Sequence, residues 1–189
     1  WWSDAGVGVA GVDRSTPDTG AAQDPSLRRL LDVDAISRVK YAYLRCLDQK
    51  DWDGLAAQLT DDATAAYSGG RYTYTGRDEI VAFLQRNMGR EAFHSSHRVH
   101  HPEIDVEGND ATATWALEDT VLDSELDILI FGAAFYEDRF RCDDGAGERR
   151  WRIAHTGYRR TFEAIVPTSE LPGLRLTASW WATDGRSTL

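Results

Sequence analysis

The chain has 189 residues, a formal net charge of -10 and a pI near 4.9. That acidity repels phosphate backbones and anionic lipid headgroups, which argues against nucleic acid or a membrane surface as partner. Hydrophobic residues make up 42% and aromatic residues 11%, a composition for one folded domain with a core. No apolar run reaches the roughly 18 residues of a membrane-spanning helix.

Residues 1–25 open with Trp1 and Trp2 and continue rich in Gly and Asp, without the basic start of a signal peptide. They are expected to be a flexible lead-in, the tryptophan pair either docking on a neighbour or incidental. From Pro25 to about Lys50, Ile36, Val39, Tyr43 and Leu47 recur at helical spacing. Asp32 and Asp34 offer N-cap and first-turn acids. A short helix is expected at 51–59, with Trp52, Leu55 and Leu59 on one side. Two short strands are expected around the Gly69-Gly70 turn, then a third helix over 76–89 ending at Gly89.

Beyond that the period becomes two. Strands are expected at 94–107, 110–123, 126–142 with a bend at Gly132, and 149–166. Helices first and a long antiparallel meander last is an α+β plan, with a pocket between a curled sheet and the helices. The domain is expected to span 26–166. The tail 167–189 carries Leu171, Leu174, Leu176, Trp180 and Trp181, too apolar to hang free, and reads as a lid or an oligomer clasp. Cys46 and Cys142 lack a CxxC or metal-ligand spacing and suit a reducing, cytoplasmic setting.

Four of the five histidines, His94, His97, His100 and His101, fall within one short segment, FHSSHRVHHPEI. Strand alternation points His97, Val99 and His101 one way and Ser96, Arg98 and His100 the other. A straight strand therefore cannot bring all four to one metal, and no metal site is expected. Asp48 ends the first helix, where an acid opposes the helix dipole; it is either a solvated helix-end residue or a functional one. Asp119 shares a strand face with Trp115 and Leu117, so it is either exposed at an edge or an acid of raised pKa in an apolar pocket. Tyr43 lies on the apolar helix stripe, as a packing residue or as a donor to a developing oxyanion.

The ordered segments ISRVKYAYLRCLDQKDWDGLAAQLTDDA, GRDEIVAFL, SSHRVHHPEI, ATATWALED and GAAFYEDRF followed by WRIAHTGYRRTFE resemble the SnoaL-like branch of the NTF2-like superfamily over about residues 30–165. The resemblance implies a cone-shaped α+β fold, a curved antiparallel sheet on about three N-terminal helices, enclosing a deep apolar cavity. Within that superfamily the sequence is most similar to the cofactor-free lyases: bile-acid 7-alpha-dehydratases, scytalone dehydratases and lindane dehydrochlorinases. Asp48 matches their helix-end Asp and His97 their strand His. Tyr43, five residues before Asp48, and Asp119, 22 residues beyond His97, match a Tyr and a second Asp of the bile-acid pattern.

The resemblance assigns His97 as general base, Asp48 as the group that fixes its tautomer, and Tyr43 and Asp119 as aids to the enolate or the leaving hydroxyl. No metal or organic cofactor is required. Trp52, Tyr67, Trp115, Phe135, Tyr158 and His94 are candidate cavity residues for a flat, apolar, ring-containing small molecule. The expected activity is a dehydratase-type lyase. Alternatives are an isomerase or cyclase of a polyketide or steroid-like ring, and a non-catalytic ligand-binding module or dioxygenase beta-like subunit. An outward sheet face bearing Arg139, Arg141, Arg152 and Arg159 is expected to meet a copy of itself, and the resembling lyases favour a trimer over a dimer.

Overall fold

The computed structural model describes residues 24–145 and 149–189; Trp1, Trp2 and the lead-in up to residue 23 lie outside the described residues. Helix α1 runs Pro25–Gln49. Asp24 caps it, accepting from the Ser26 N–H at 2.9 Å, with Pro25 in the first turn, where a residue without an N–H costs nothing. This corrects the expectation for Asp32 and Asp34. Asp32 lies two turns inside the helix, buried, and accepts from Trp151 Nε1 at 2.8 Å and Arg149 Nε at 3.0 Å. Asp34 is exposed and pairs with Arg38. Along α1 the buried Asp32, Ile36, Lys40, Tyr43 and Leu47 recur every three or four positions, with Leu44 and Cys46 buried beside them, so one stripe faces inward.

Helix α2, Trp52–Ala56, starts at Asp51, whose side chain accepts from the Gly54 N–H. Strands β1 (Leu59–Tyr67) and β2 (Tyr72–Thr75) flank a turn in which Gly69 and Gly70 have φ of 68° and 89°, a conformation glycine adopts freely. Helix α3 spans Arg77–Met88, followed by β3 (Phe93–Glu107), β4 (Asp110–Asp123), β5 (Ile128–Asp143) and β6 (Arg150–Val166). The six strands form one sheet in the order β2-β1-β6-β5-β4-β3. All neighbours are antiparallel except β1 and β6, which run parallel. β3 forms one edge and carries a register break between His100 and Glu103, with His101 at φ 31° before Pro102.

The sheet curls so that one face meets α1, giving the α+β cone. Strand β4 alternates cleanly: Ala111, Ala113, Trp115, Leu117, Asp119, Val121 and Asp123 are buried, and the residues between them are not. Leu55, Leu59, Ile80, Leu84, Phe140, Trp151 and Ile153 complete the core, each worth roughly 1.5–3 kcal/mol on burial. Cys46 and Cys142 are free and buried. Among the described residues no helix is long and apolar enough to cross a membrane. The tail begins with a 3-10 turn, Thr168–Glu170, held by Asp127, which accepts from the Thr168 hydroxyl at 2.6 Å and the Ser169 N–H at 2.7 Å.

Deep under α1, Lys40 and Asp138 form a fully buried ion pair at 2.7 Å. The ammonium also lies 3.3 Å from the Tyr136 ring centroid, which adds a cation–π attraction. Burial pulls the Lys40 pKa down, against the opposing charge of Asp138. Truncating one partner leaves a buried charge alone. Asp138→Ala should therefore cost about 3–5 kcal/mol, while the double variant Lys40→Met/Asp138→Leu should cost less than either single truncation. Urea unfolding of the three variants measures the difference.

Candidate active site

Asp48 sits in the last turn of α1, where the helix dipole disfavours an acid. Strand β3 supplies three donors in compensation. The Ser95 hydroxyl donates to Oδ1 at 2.8 Å, the His97 backbone N–H to Oδ2 at 2.8 Å, and the His97 ring Nδ1 to Oδ1 at 2.7 Å. A carboxylate accepts and does not donate, so Nδ1 carries a proton, and in the neutral ring Nε2 keeps its lone pair. The His97 side chain is 9% exposed and that of Asp48 22%, so the pair is shielded from bulk water without being sealed. A hollow of about 450 Å³ borders it, lined by Tyr41, Leu44, Arg45, Val99 and His100 among others.

His97 stands directly opposite Asp119 on β4. Because the His97 N–H points to Asp48 and away from β4, this is a pair without mutual hydrogen bonds, the kind whose Cα atoms approach to about 4.5 Å. Both oxygens of Asp119 accept from Arg160 on β6, at 2.5 and 2.8 Å. Two features bring the guanidinium there. Gly132 of β5 lies between the two strands, opposite Asp119, and a Cβ on it would lie 3.1 Å from Arg160 Nη1 and 2.8 Å from the Phe162 carbonyl oxygen. Next to it the register slips, with Ala134 facing Arg160 but Ala133 facing Phe162. The bulge at Thr161 leaves Arg160 inward and turns Phe162 outward. Arg160 also meets Glu163 at 3.1 Å and lies 5.1 Å from the Tyr158 ring centroid.

The fork-on-fork geometry suits an ionised carboxylate. Asp119 is neither exposed at an edge nor alone in an apolar pocket: it pairs with Arg160 beside His97. Arg160 escaped the sequence reading. Its signal was there: it follows Tyr158 by two, so both share the inner strand face.

Tyr43 is fully buried, its hydroxyl 2.9 Å from that of Tyr67. Burial pushes the ionisation of both phenols well up, so they stay protonated and can donate. Tyr67 stacks on Phe83 at 5.8 Å and meets Tyr158 at 6.0 Å. Trp115 is fully buried, edge-on to Tyr41 at 6.1 Å. These residues share the inner side with the dyad.

Three other candidates do not join them. Phe135 is 45% exposed on the outer face, because it alternates with the buried Ala134 and Tyr136. Trp52 lines a separate hollow between α2 and α3 with Val81, Ala82 and Gln85. His94 lies on the strand face opposite to Ser95 and His97, across from Leu122; burial and then the Lys50 charge pull its pKa down. His100 lies 3.9 Å from Glu118, and its ring stacks on His101 at 6.3 Å. Among the described residues no three His, Cys, Asp or Glu side chains are grouped to hold a metal ion.

A family model for the SnoaL-like domain matches residues 28–157, well over half of the chain, and the chain belongs to that family. Solved structures share its fold. One is a Novosphingobium aromaticivorans DSM 12444 protein named as a candidate scytalone dehydratase. It is 22% identical, with a TM-score of 0.66 over 74% of this chain and 90% of that one. A type-3 hexachlorocyclohexane dehydrochlorinase, LinA, from Novosphingobium barchaimii LL02 is 18% identical, with a TM-score of 0.68 over 82% of this chain and 99% of that one. The type-2 LinA enzyme is 19% identical, with a TM-score of 0.66 over 80% and 96%.

Two outcomes follow from this geometry. Gly132→Ala should cost about 1–3 kcal/mol in urea unfolding, since backbone faces the new methyl group. Lys50, next to the site, has its pKa brought down by burial to about 8, below the ~10.4 of an unfolded lysine. The unfolded chain then binds more protons, so between about pH 8 and pH 9.5 stability rises with pH. Lys50→Met should flatten that rise when unfolding is compared at the two ends of the window.

Proposed function

We propose that this protein is a cofactor-independent lyase of the dehydratase type, acting on a ring-containing, largely apolar small molecule. The observation that carries the reading is the His97 ring, with Nδ1 committed to Asp48 and Nε2 left as the acceptor. His97 Nε2 takes a proton from a carbon beside an activating group. Asp48 stabilises the imidazolium formed. Arg160, held by Asp119, receives the negative charge that develops on the enolate or on the departing oxygen. The carbon–oxygen bond then breaks, the double bond forms, and the imidazolium returns its proton to the leaving hydroxide as water. Tyr43 and Tyr67 donate to substrate oxygen as neutral phenols. A halide leaving group would need no proton, and the fold-level likeness to dehydrochlorinases supports including halogenated rings among the compounds tried.

An isomerase or cyclase would use the same base and the same cation. It is separated by product mass, since elimination removes water or hydrogen halide and isomerisation removes nothing. In an active preparation, His97→Gln and Asp48→Asn should each lower kcat by about 10²–10⁴-fold with the unfolding transition retained. Full activity in both would end the dyad reading.

We also propose self-association through the outer sheet face. Phe131, Phe135 and Phe162 are each more than 40% exposed there, a patch that supports an interface between copies. The tail, with Trp180 48% and Trp181 37% exposed, is a candidate clasp. Sedimentation velocity should show an oligomer for the wild type and a monomer for Phe135→Lys/Phe162→Lys; deleting 168–189 should loosen it.

A further inference from the structure

Lys50 holds an unusual position. It caps α1 with φ 60° and ψ 30°, a left-handed conformation that a helix end ordinarily gives to glycine or asparagine. Its residue is only 8% exposed. The ammonium donates to the Ser95 hydroxyl at 3.1 Å and lies 4.9 Å from the Phe93 ring centroid. A backbone strain and a buried charge thus coincide at one residue, two positions from Asp48.

The donors have one consistent direction. An ammonium has no acceptor, and a carboxylate has no proton. Ser95 must therefore accept from Lys50 and donate to Asp48 Oδ1 at 2.8 Å. That same oxygen takes the His97 Nδ1–H. The hydroxyl cannot turn round while Lys50 is charged, so the oxygen that orients the imidazole is itself oriented.

We propose that Lys50, acting through Ser95, is a positioning residue for the Asp48–His97 pair, and that its charge state governs how much of the Asp48 charge is left for the imidazolium. The inference rests on the dyad reading above. The charged and titratable groups around the ammonium are few. Asp48 faces it from α1 and is the charge that raises its proton affinity. From β3, the His97 ring shares the Ser95 side through Asp48, and His94, on the other strand face, feels the Lys50 charge. Asp51, Asp53 and Asp78, from the starts of α2 and α3, share a hollow with it, and the Arg90–Asp123 pair lies beyond His94. Protonated, Lys50 draws on Asp48 and opposes a second cation at His97. Neutral, it leaves that charge to His97. With burial setting its titration near pH 8, the site has a built-in response on the alkaline side of neutrality.

The test needs no substrate. The full chain is labelled with ¹⁵N at histidine, and the ring nitrogens of His97, assigned with His97→Gln, are followed from about pH 5 to about pH 10, spanning His and Lys titration. Wild type should show its own titration and a second, smaller inflection near pH 8. Lys50→Met should abolish the second inflection. Lys50→Arg, which keeps the cation at every pH, should abolish it while retaining the wild-type shifts below it. Ser95→Ala should at least halve it and raise the fraction of the Nε2–H tautomer. A wild-type curve with one inflection, or an inflection that survives in Lys50→Met, overturns the proposal. Asp48→Asn separates the two levels. If it leaves His97 unmoved, the dyad reading fails; if it moves His97 while Lys50→Met and Ser95→Ala do not, the dyad stands and the role of Lys50 falls.

Discussion

The last turn of α1 is fastened to the sheet by one carboxylate. Asp48 collects a hydroxyl, a ring N–H and a backbone N–H from a three-residue stretch of β3, and that backbone N–H belongs to a sheet edge with no further strand beside it. One interaction therefore answers three needs. It neutralises an acid at the wrong end of a helix dipole, satisfies an edge donor, and selects the tautomer of the histidine that stands opposite Asp119. Move α1 along β3 by a turn, and all three are lost together.

Charge inside the cone is balanced locally. Among the described residues the buried aspartates are Asp32, Asp119, Asp123 and Asp138, and each faces an arginine or a lysine. The interior near the dyad is therefore close to neutral before a proton moves. A reaction that places a proton on His97 and negative charge on substrate keeps it neutral, and in a medium of low dielectric that neutrality matters more than in water. Arg160 is already oriented by Asp119, so little reorganisation is needed as charge develops.

The parts legible in the sequence were those governed by local period. The alternation of 110–123 matches β4, and the three-four spacing of Ile36, Tyr43 and Leu47 matches the inner stripe of α1. What escaped depends on distant chain segments. The parallel pairing of β1 with β6 joins residues some ninety positions apart, such as Thr64 and His155, and no local pattern encodes it. Asp32 resembled a cap because a helix start and a buried indole acceptor call for the same residue type. Phe135 was placed inside by its side chain, although Tyr136 and Ala134 decide the phase of that strand. Asp48 and His97 were each conspicuous alone; only the family resemblance joined them, because their separation along the chain says nothing about their contact.

The edge strand has a wider consequence. β3 is fifteen residues long, and a strand of that length with bare amides is an open template for another chain. Here Asp48 occupies one of its amides, Pro102 lacks one altogether, and the break at His100–Glu103 interrupts its straight run. At the opposite edge β2 offers only four residues. Neither margin invites a further strand, so edge-to-edge growth into fibrillar β-structure is disfavoured at both sides.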